Sequence, residues 1–241
     1  MRLDEALVAR GLSPSRARAR DTIKRGCVCV DGRAVVKPAA PVRDGQRIEV
    51  EDPAGRYVSR AALKLAAALE AFALDPAGAI CLDLGASTGG FTQVLLERGA
   101  RRVFALDVGH DQLAESLRRE PRVVSHEGVN ARTLSRTEVP EAPRLIVADL
   151  SFISLRLALP PALALAAPGA VLVALVKPQF ELGRDALDKA GVVKDEAAAS
   201  RLPEEMARWL ESLGWQRLGA IVSPVKGGSG NTEYLIGARR A

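Results

Sequence analysis

Four charged residues stand at or next to the carboxyl ends of apolar runs. Asp83 follows Ala79-Ile80-Cys81-Leu82, Asp107 follows Val103 to Leu106, Asp149 follows Leu145 to Ala148, and Lys177 follows Val171 to Val176. If these runs are strands of one parallel sheet, the four side chains share the edge at which such sheets bind ligands. Asp107 lies about twenty residues beyond a glycine-rich turn, where a carboxylate can accept both hydroxyl hydrogens of a ribose. A lysine closing so apolar a run is costly unless it is paired or functional. In its neutral form Lys177 can take a proton from an alcohol, with a second lysine, Lys64, orienting that hydroxyl or stabilising developing alkoxide. Asp149 and Glu233 would fix the two lysines. Taken singly, each of these residues is equally an ordinary cap or turn residue, and together they could be buried salt bridges of the sheet.

The glycine-rich turn is Asp83-Leu84-Gly85-Ala86-Ser87-Thr88-Gly89-Gly90-Phe91-Thr92, between a strand-like run and the helix-like Gln93 to Arg98. Glycines let the backbone approach a ligand, and a helix start offers unpaired N–H groups. The spacing of Gly85, Gly89 and Gly90 does not fit the dinucleotide fingerprint. Asp83, two residues before the first glycine, would repel a pyrophosphate but suits an ammonium-bearing ligand such as S-adenosylmethionine. Asp83 would hold the ammonium end through water, the Gly85–Gly90 backbone the methionine part, and Glu127-Gly128-Val129-Asn130 would reach adenine. The expected cradle is Asp83, Gly85, Ser87, Gly89, Gly90, Phe91, Asp107, Val108, Asn130 and Asp149. His110 and His126 lack partners in any catalytic or metal pattern and are read as incidental, so no metal is expected.

The elements that must hold these groups alternate strand and helix from about residue 79 to the end, which implies a mostly parallel sheet with helices on both faces. Ahead of them, Arg60 and Lys64 lie one turn apart on a helix whose apolar side is expected to be Leu63, Ala67, Leu69 and Phe72. Lys64 reads there as a surface lysine. Leu157 to Val176 is an uncharged run long enough to span a bilayer. Pro160-Pro161 and Pro168-Gly169 argue instead for a short core helix, a turn and a buried strand.

Residues 1 to about 52 form a separate small module. Leu3, Leu7 and Val8 line one face of a first helix ended by Gly11. Ser13 as N-cap, Pro14 at the first helical position and Gly26 past the end mark a second. Asp31-Gly32 predicts a hairpin turn whose return strand ends near Lys37, and Gln46 to Val50 a third strand. The protein has 241 residues, a 48% hydrophobic fraction and a net charge of +5, and the excess of arginine is local to this module. Arg16, Arg20 and Lys24 are spaced by one turn, and Arg2, Arg18 and Arg25 add to the stripe. A solvated helix face is the plain alternative, but the local surplus favours phosphates. Almost no aromatics accompany it, so backbone-and-shape recognition of folded RNA is expected rather than base stacking. Three cysteines, Cys27, Cys29 and Cys81, in apolar contexts and a charged start without a signal peptide imply a reduced, cytoplasmic protein.

The segment RLDEALVARGLSPSRARARDTIKRGCVCVDG resembles the S-four-like RNA-binding domain, in which the second helix grips structured RNA. The motifs YVSRAALKL, LDLGASTGGFTQVLLERGA, ALDVG, VADLSFISL, LVKPQFE, GVVKD and SPVKGGSGNTEYL, in order along the chain, resemble the TlyA family. That resemblance implies an α/β chain: residues 1–54 as an S-four-like domain with its linker, then residues 55–241 as an FtsJ-like methyltransferase domain. The latter would be Rossmann-like, with a mostly parallel seven-stranded sheet and S-adenosylmethionine as cofactor. It further implies 2'-O-methylation of cytidines in ribosomal RNA within ribosomal subunits by a tetrad falling on Lys64, Asp149, Lys177 and Glu233. The RNA-binding set would be Arg2, Arg16, Arg18, Arg20, Lys24, Arg25 and Arg60, with no membrane and no stable protein partner. Family members also carry a haemolysin label, so a membrane-active protein and an RNA-binding assembly factor with an inert second domain stand as alternatives. Ala61-Ala62 replaces a glycine pair often found there in the family. The glycines and Lys226 of SPVKGGSGNTEYL read as a flap or as a plain hairpin loop.

Overall fold

The structure, a computed structural model, describes residues 1–241. Contacts divide the chain into two units, Met1–Arg56 and Tyr57–Ala241. In the first, α1 (Leu3–Ala9) and α2 (Arg16–Lys24) cover a three-stranded antiparallel sheet of β1 (Val28–Val30), β2 (Arg33–Ala34) and β3 (Ile48–Val50), with β1 central. Leu3, Leu7, Ala19, Ile23 and Val28 form its core without exposed surface. The cap of α2 is Ser15 and not Ser13. Ser15 is extended and accepts the Arg18 N–H, while the Ser13 hydroxyl donates to the Ser15 carbonyl, leaving Pro14 outside the helix. Asp31 and Gly32, both at positive φ, make the tight turn between Val30 and its partner Arg33. The return strand is shorter than the expected run to Lys37. Beyond it the chain turns to the N-terminus, where Leu3 and Asp4 donate to the carbonyls of Ala40 and Pro38.

The second unit contains α3 (Ala61–Ala71), β4 (Ile80–Leu84), α4 (Gly90–Glu97), β5 (Arg102–Leu106), α5 (Glu115–Arg118), β6 (Val123–His126), β7 (Leu145–Ala148), α6 (Leu155–Leu165), β8 (Val171–Val176), α7 (Pro178–Glu181), α8 (Glu196–Ser212), β9 (Trp215–Val222) and β10 (Tyr234–Arg240). Its sheet has seven strands in the order β6-β5-β4-β7-β8-β10-β9. The first five are parallel, and β10 runs antiparallel to both neighbours. Alternation along the strands separates two cores. Leu82, Phe104, Ile146 and Leu172 meet α6 and α8, whereas Cys81, Val103, Val147 and Val173 meet α3 and α4.

Several elements differ from expectation for local reasons. The buried face of α3 is Ala62, Lys64, Leu65, Ala68 and Leu69, which shares only Leu69 with the predicted side of Leu63, Ala67, Leu69 and Phe72, so Lys64 points inward. The helix predicted from Asp111 begins only at Glu115, because the N–H groups of Asp111 and Gln112 are donated to the Glu127 carboxylate and Asp111 has a left-handed backbone. α6 continues through Pro160 and Pro161, and the turn falls at Pro168-Gly169, where Gly169 has positive φ. The carbonyls that lose their donors belong to Arg156 and Leu157, both exposed residues, and water can replace the lost bonds. No helix is long and apolar enough to cross a membrane.

Candidate active site

Strand order brings Asp107, Asp149, Lys177 and Glu233 to one edge of the sheet. β4 lies between β5 and β7, so the chain leaves β4 toward one side of the sheet and later returns on the other, opening a crevice at the carboxyl edge. Asp107 follows β5, Asp149 follows β7 and Lys177 follows β8. Tyr234 pairs with Val176, so Glu233 arrives beside Lys177 from the antiparallel strand. Lys64 comes from α3 and meets Glu233 at 2.6 Å, both side chains being buried.

Lys177, also buried, stands 2.6 Å from Asp149 Oδ1 and donates to Ser151 Oγ at 2.8 Å. The contact with Oδ1 is a close meeting of charges off the line of a hydrogen bond. Gln179 Nε2 approaches Glu233 Oε1 at 3.4 Å. The four charges thus form two ion pairs, each with a polar neighbour that the sequence reading did not single out, Ser151 and Gln179. Asn231, which the sequence does not single out either, ties the neighbouring loops together. Its buried amide accepts the Val193 N–H and donates to the Gly191 carbonyl, both at 2.9 Å, while its own carbonyl accepts the Gly227 N–H. A Cβ on Gly227 would sit 2.5 Å from Glu233 Oε1, so a side chain at this loop position would push that carboxylate aside.

Two pockets that share Gly85, Ser87, Asp149 and Ser151 as lining occupy the crevice. Gly85, Ser87, Asp107, Val108, Asn130 and Asp149 border one of about 490 Å³. Gly85, Ser87, Gly90, Phe91 and Asp149 border a smaller one of about 210 Å³, which Lys177 also reaches. Gly85 has φ +81, and a Cβ there would come within 2.6 Å of the Asp149 carbonyl, so the turn closes on the β7 edge only with glycine. Asp107 accepts the Ser87 N–H at 2.8 Å and the Gly109 N–H at 2.7 Å, which fixes the carboxylate and leaves each oxygen further acceptor capacity. Asn130 accepts the Arg132 N–H, and Glu127, committed to the loop at Asp111, lies outside the pocket.

Asp83 and Gly89 border neither pocket. Gly89 has left-handed backbone before α4 and is packed over by Leu113 and Leu117. Asp83 has no exposed surface; Oδ2 accepts the Thr92 hydroxyl at 2.6 Å, while Oδ1 has no partner. Burial pushes the Asp83 carboxyl up to about 7, against the lowering effect of the Thr92 hydrogen bond, and the charges of Asp149 and Asp107 push the same way as burial. Asp83 therefore lies beneath the turn and out of reach of the pockets, and the groups that fit a nucleoside bearing an amino-acid arm are the Asp107 carboxylate, with acceptor capacity to spare, and the close-lying backbone at Gly85.

The third and largest cleft, about 1060 Å³, is bordered by Lys64, Asp149, Lys177 and Glu233, with Arg60, Arg132, Arg184 and Lys226 at its wall. Phe152 stands between this cleft and the 490 Å³ pocket, 90% exposed, at φ +66, its ring 5.1 Å from that of Phe180. The arginine stripe is placed in the first unit. Arg2, Arg16 and Arg20 surround Asp4, Arg25 pairs with Asp21 and Asp52, Arg18 lies by the carbonyls of Ala54 and Gly55, and Lys24 is exposed.

The fold and the crevice are those of an S-adenosylmethionine-dependent methyltransferase. Residues 57–240 match the FtsJ-like methyltransferase family, and residues 1–48 match the S4 domain. The 16S/23S rRNA (cytidine-2'-O)-methyltransferase TlyA of Mycobacterium tuberculosis is 49% identical over 239 residues, covering 99% of this chain and 89% of its own. Hemolysin A of Brachyspira hyodysenteriae is 41% identical over 236 residues, 98% of each chain. A solved structure from Streptococcus thermophilus carrying a hemolysin label is 36% identical, with a TM-score of 0.78, covering 100% of this chain and 88% of that one. The chain belongs to the TlyA family of FtsJ-like methyltransferases.

Proposed function

We infer that this protein methylates the ribose 2'-hydroxyl of cytidine in ribosomal RNA, acting on ribosomal subunits in the cytoplasm, with the first unit docking the RNA. The observation that carries the reading is a shared wall: Asp149, Ser151 and Lys177 border both the 210 Å³ pocket and the 1060 Å³ cleft. A donor in the smaller pocket and an acceptor in the larger would meet at that wall. S-adenosylmethionine supplies a methyl group made electrophilic by its sulfonium. Asp107, Val108 and Asn130 would bind its nucleoside end, and Gly85, Ala86, Ser87, Gly90 and Phe91 would line its amino-acid end. In its neutral form Lys177 takes the proton of the 2'-hydroxyl at Nζ as that oxygen becomes the nucleophile, and Asp149 and Ser151 hold the resulting ammonium in place. Lys64, fixed by Glu233, orients the hydroxyl and stabilises its developing negative charge.

Tritium-methyl transfer to unmodified small and large subunits, followed by mapping of the labelled nucleotide, tests the reading. Lys177→Ala is expected to lower transfer by about 10²–10⁴-fold, the usual contribution of a general base, with RNA affinity unchanged. Retained activity in a folded Lys177→Ala protein removes Lys177 from that role. Lysis of RNA-free vesicles by the purified protein would instead support the hemolysin label of its relatives.

A further inference from the structure

In the first unit a carboxylate sits where an RNA-binding face should have none. Asp4, on α1, has no exposed surface. Its oxygens hold Arg2 Nε at 3.0 Å, Arg16 Nη2 at 3.1 Å and Arg20 Nε at 2.8 Å. Hydrogen bonding to Arg2, with further bonds from Arg20 and Arg16, holds the Asp4 carboxyl well below the usual carboxylate range despite its burial. Arg16 also touches Glu5 at 3.2 Å. Even so, the three arginine side chains remain 45%, 47% and 50% exposed. Each guanidinium has five N–H donors, and Arg20 bonds Asp4 through its Nε, which leaves its Nη donors unspent on that carboxylate in a half-exposed side chain.

Joining α1 to α2 would need one partner for Asp4; three are supplied, and all keep an open side. Long arginine side chains ordinarily lose rotamer freedom when they grip a phosphate. Here folding has already ordered them, so less is lost on binding. We propose that Asp4 is a positioning residue for RNA, holding Arg2, Arg16 and Arg20 as a preset guanidinium cluster whose exposed N–H edges receive backbone phosphates. The proposal rests on the reading that the first unit docks RNA. It has an unusual sign: on Coulomb grounds alone, removing an acidic group should strengthen binding to a polyanion, whereas loss of Asp4 is expected to weaken it.

The test uses full-length protein and unmodified ribosomal RNA transcripts, with binding followed between about 50 and 200 mM salt. Asp4→Asn is expected to weaken binding about tenfold and to flatten the slope of log K against log salt by about two, as if two phosphate contacts were lost. The loss should fall on KM for RNA, with kcat at saturating RNA nearly unchanged. Binding by Asp4→Asn as tight as the parent's, or tighter, overturns the proposal. If Asp4→Asn unfolds the first unit, an Arg2→Lys, Arg16→Lys, Arg20→Lys protein decides. It keeps the charge but loses the planar forks, and parental affinity there overturns the proposal. An Arg16→Ala, Arg20→Ala protein separates the two ideas: unchanged binding refutes RNA docking by this face, and weakened binding beside a parental Asp4→Asn refutes only the role of Asp4.

Discussion

Asp83 shows what a fully buried carboxyl beneath a glycine turn costs the fold. Its ordinary pKa of 3.8 is raised to about 7, chiefly by burial. Between those values the folded protein holds a proton that the unfolded chain has released. Stability from this group therefore falls as pH rises through the window, and the penalty is complete above about 7. Asp83→Asn removes the titration and keeps the shape. It is expected to be more stable than the parent at about pH 8, by an amount on the order of a few kcal/mol, with a flatter stability profile from about pH 4 to 7. Urea unfolding across that range reads both effects, and an unchanged profile would mean that Asp83 is not the group that titrates. The residue's approximate place, near a strand end before a glycine turn, was legible from spacing. Its complete burial and its bond to Thr92 were not, because those depend on α4 packing over β4.

At the scale of elements, the Lys64–Glu233 pair ties α3 to the start of β10 across 169 residues of sequence. Leu63, Ala67, Leu69 and Phe72 predict an apolar side that leaves Lys64 outward, but of these only Leu69 is fully buried. Small alanines mask the buried side: Ala62 and Ala68 carry little hydrophobic signal yet occupy the fully buried face. Glu233→Gln leaves the Lys64 ammonium buried without its counter-charge, and breaking such a pair typically destabilises by about 3–5 kcal/mol. A matching fall in thermal midpoint is expected for Glu233→Gln. Adding Lys64→Met should recover most of it without restoring methyl transfer. If the single variant is as stable as the parent, the pair is not buried in solution.

At the scale of the whole molecule, each unit has its own hydrophobic core. The smaller one, Met1–Arg56, lies in the size range where a single core is marginal. The titrating carboxylates of the two units act with opposite sign. Asp4, whose pKa is lowered in the fold, contributes stability that is present above its ordinary 3.8 and is lost as pH falls below that value. Asp83 adds stability to the larger unit as pH falls from about 7 towards 4. Calorimetry is expected to show two transitions. The larger unit should gain stability on mild acidification, and the smaller should melt first below about pH 4. A single transition at every pH would show that the units unfold together.

The sequence by itself determined what depends on near neighbours. Strand periodicity, the glycine turn, the hairpin at Asp31-Gly32 and the polar residues closing apolar runs are set by backbone preferences and side-chain alternation over a few residues. The motif series added the family. Tertiary structure alone decided which charges meet. The β8–β10 register brings Glu233 next to Lys177, the rotation of α3 turns Lys64 inward, and the contact of α1 with α2 gathers three arginines on Asp4. Such pairings rest on long-range packing and desolvation, which no local pattern encodes.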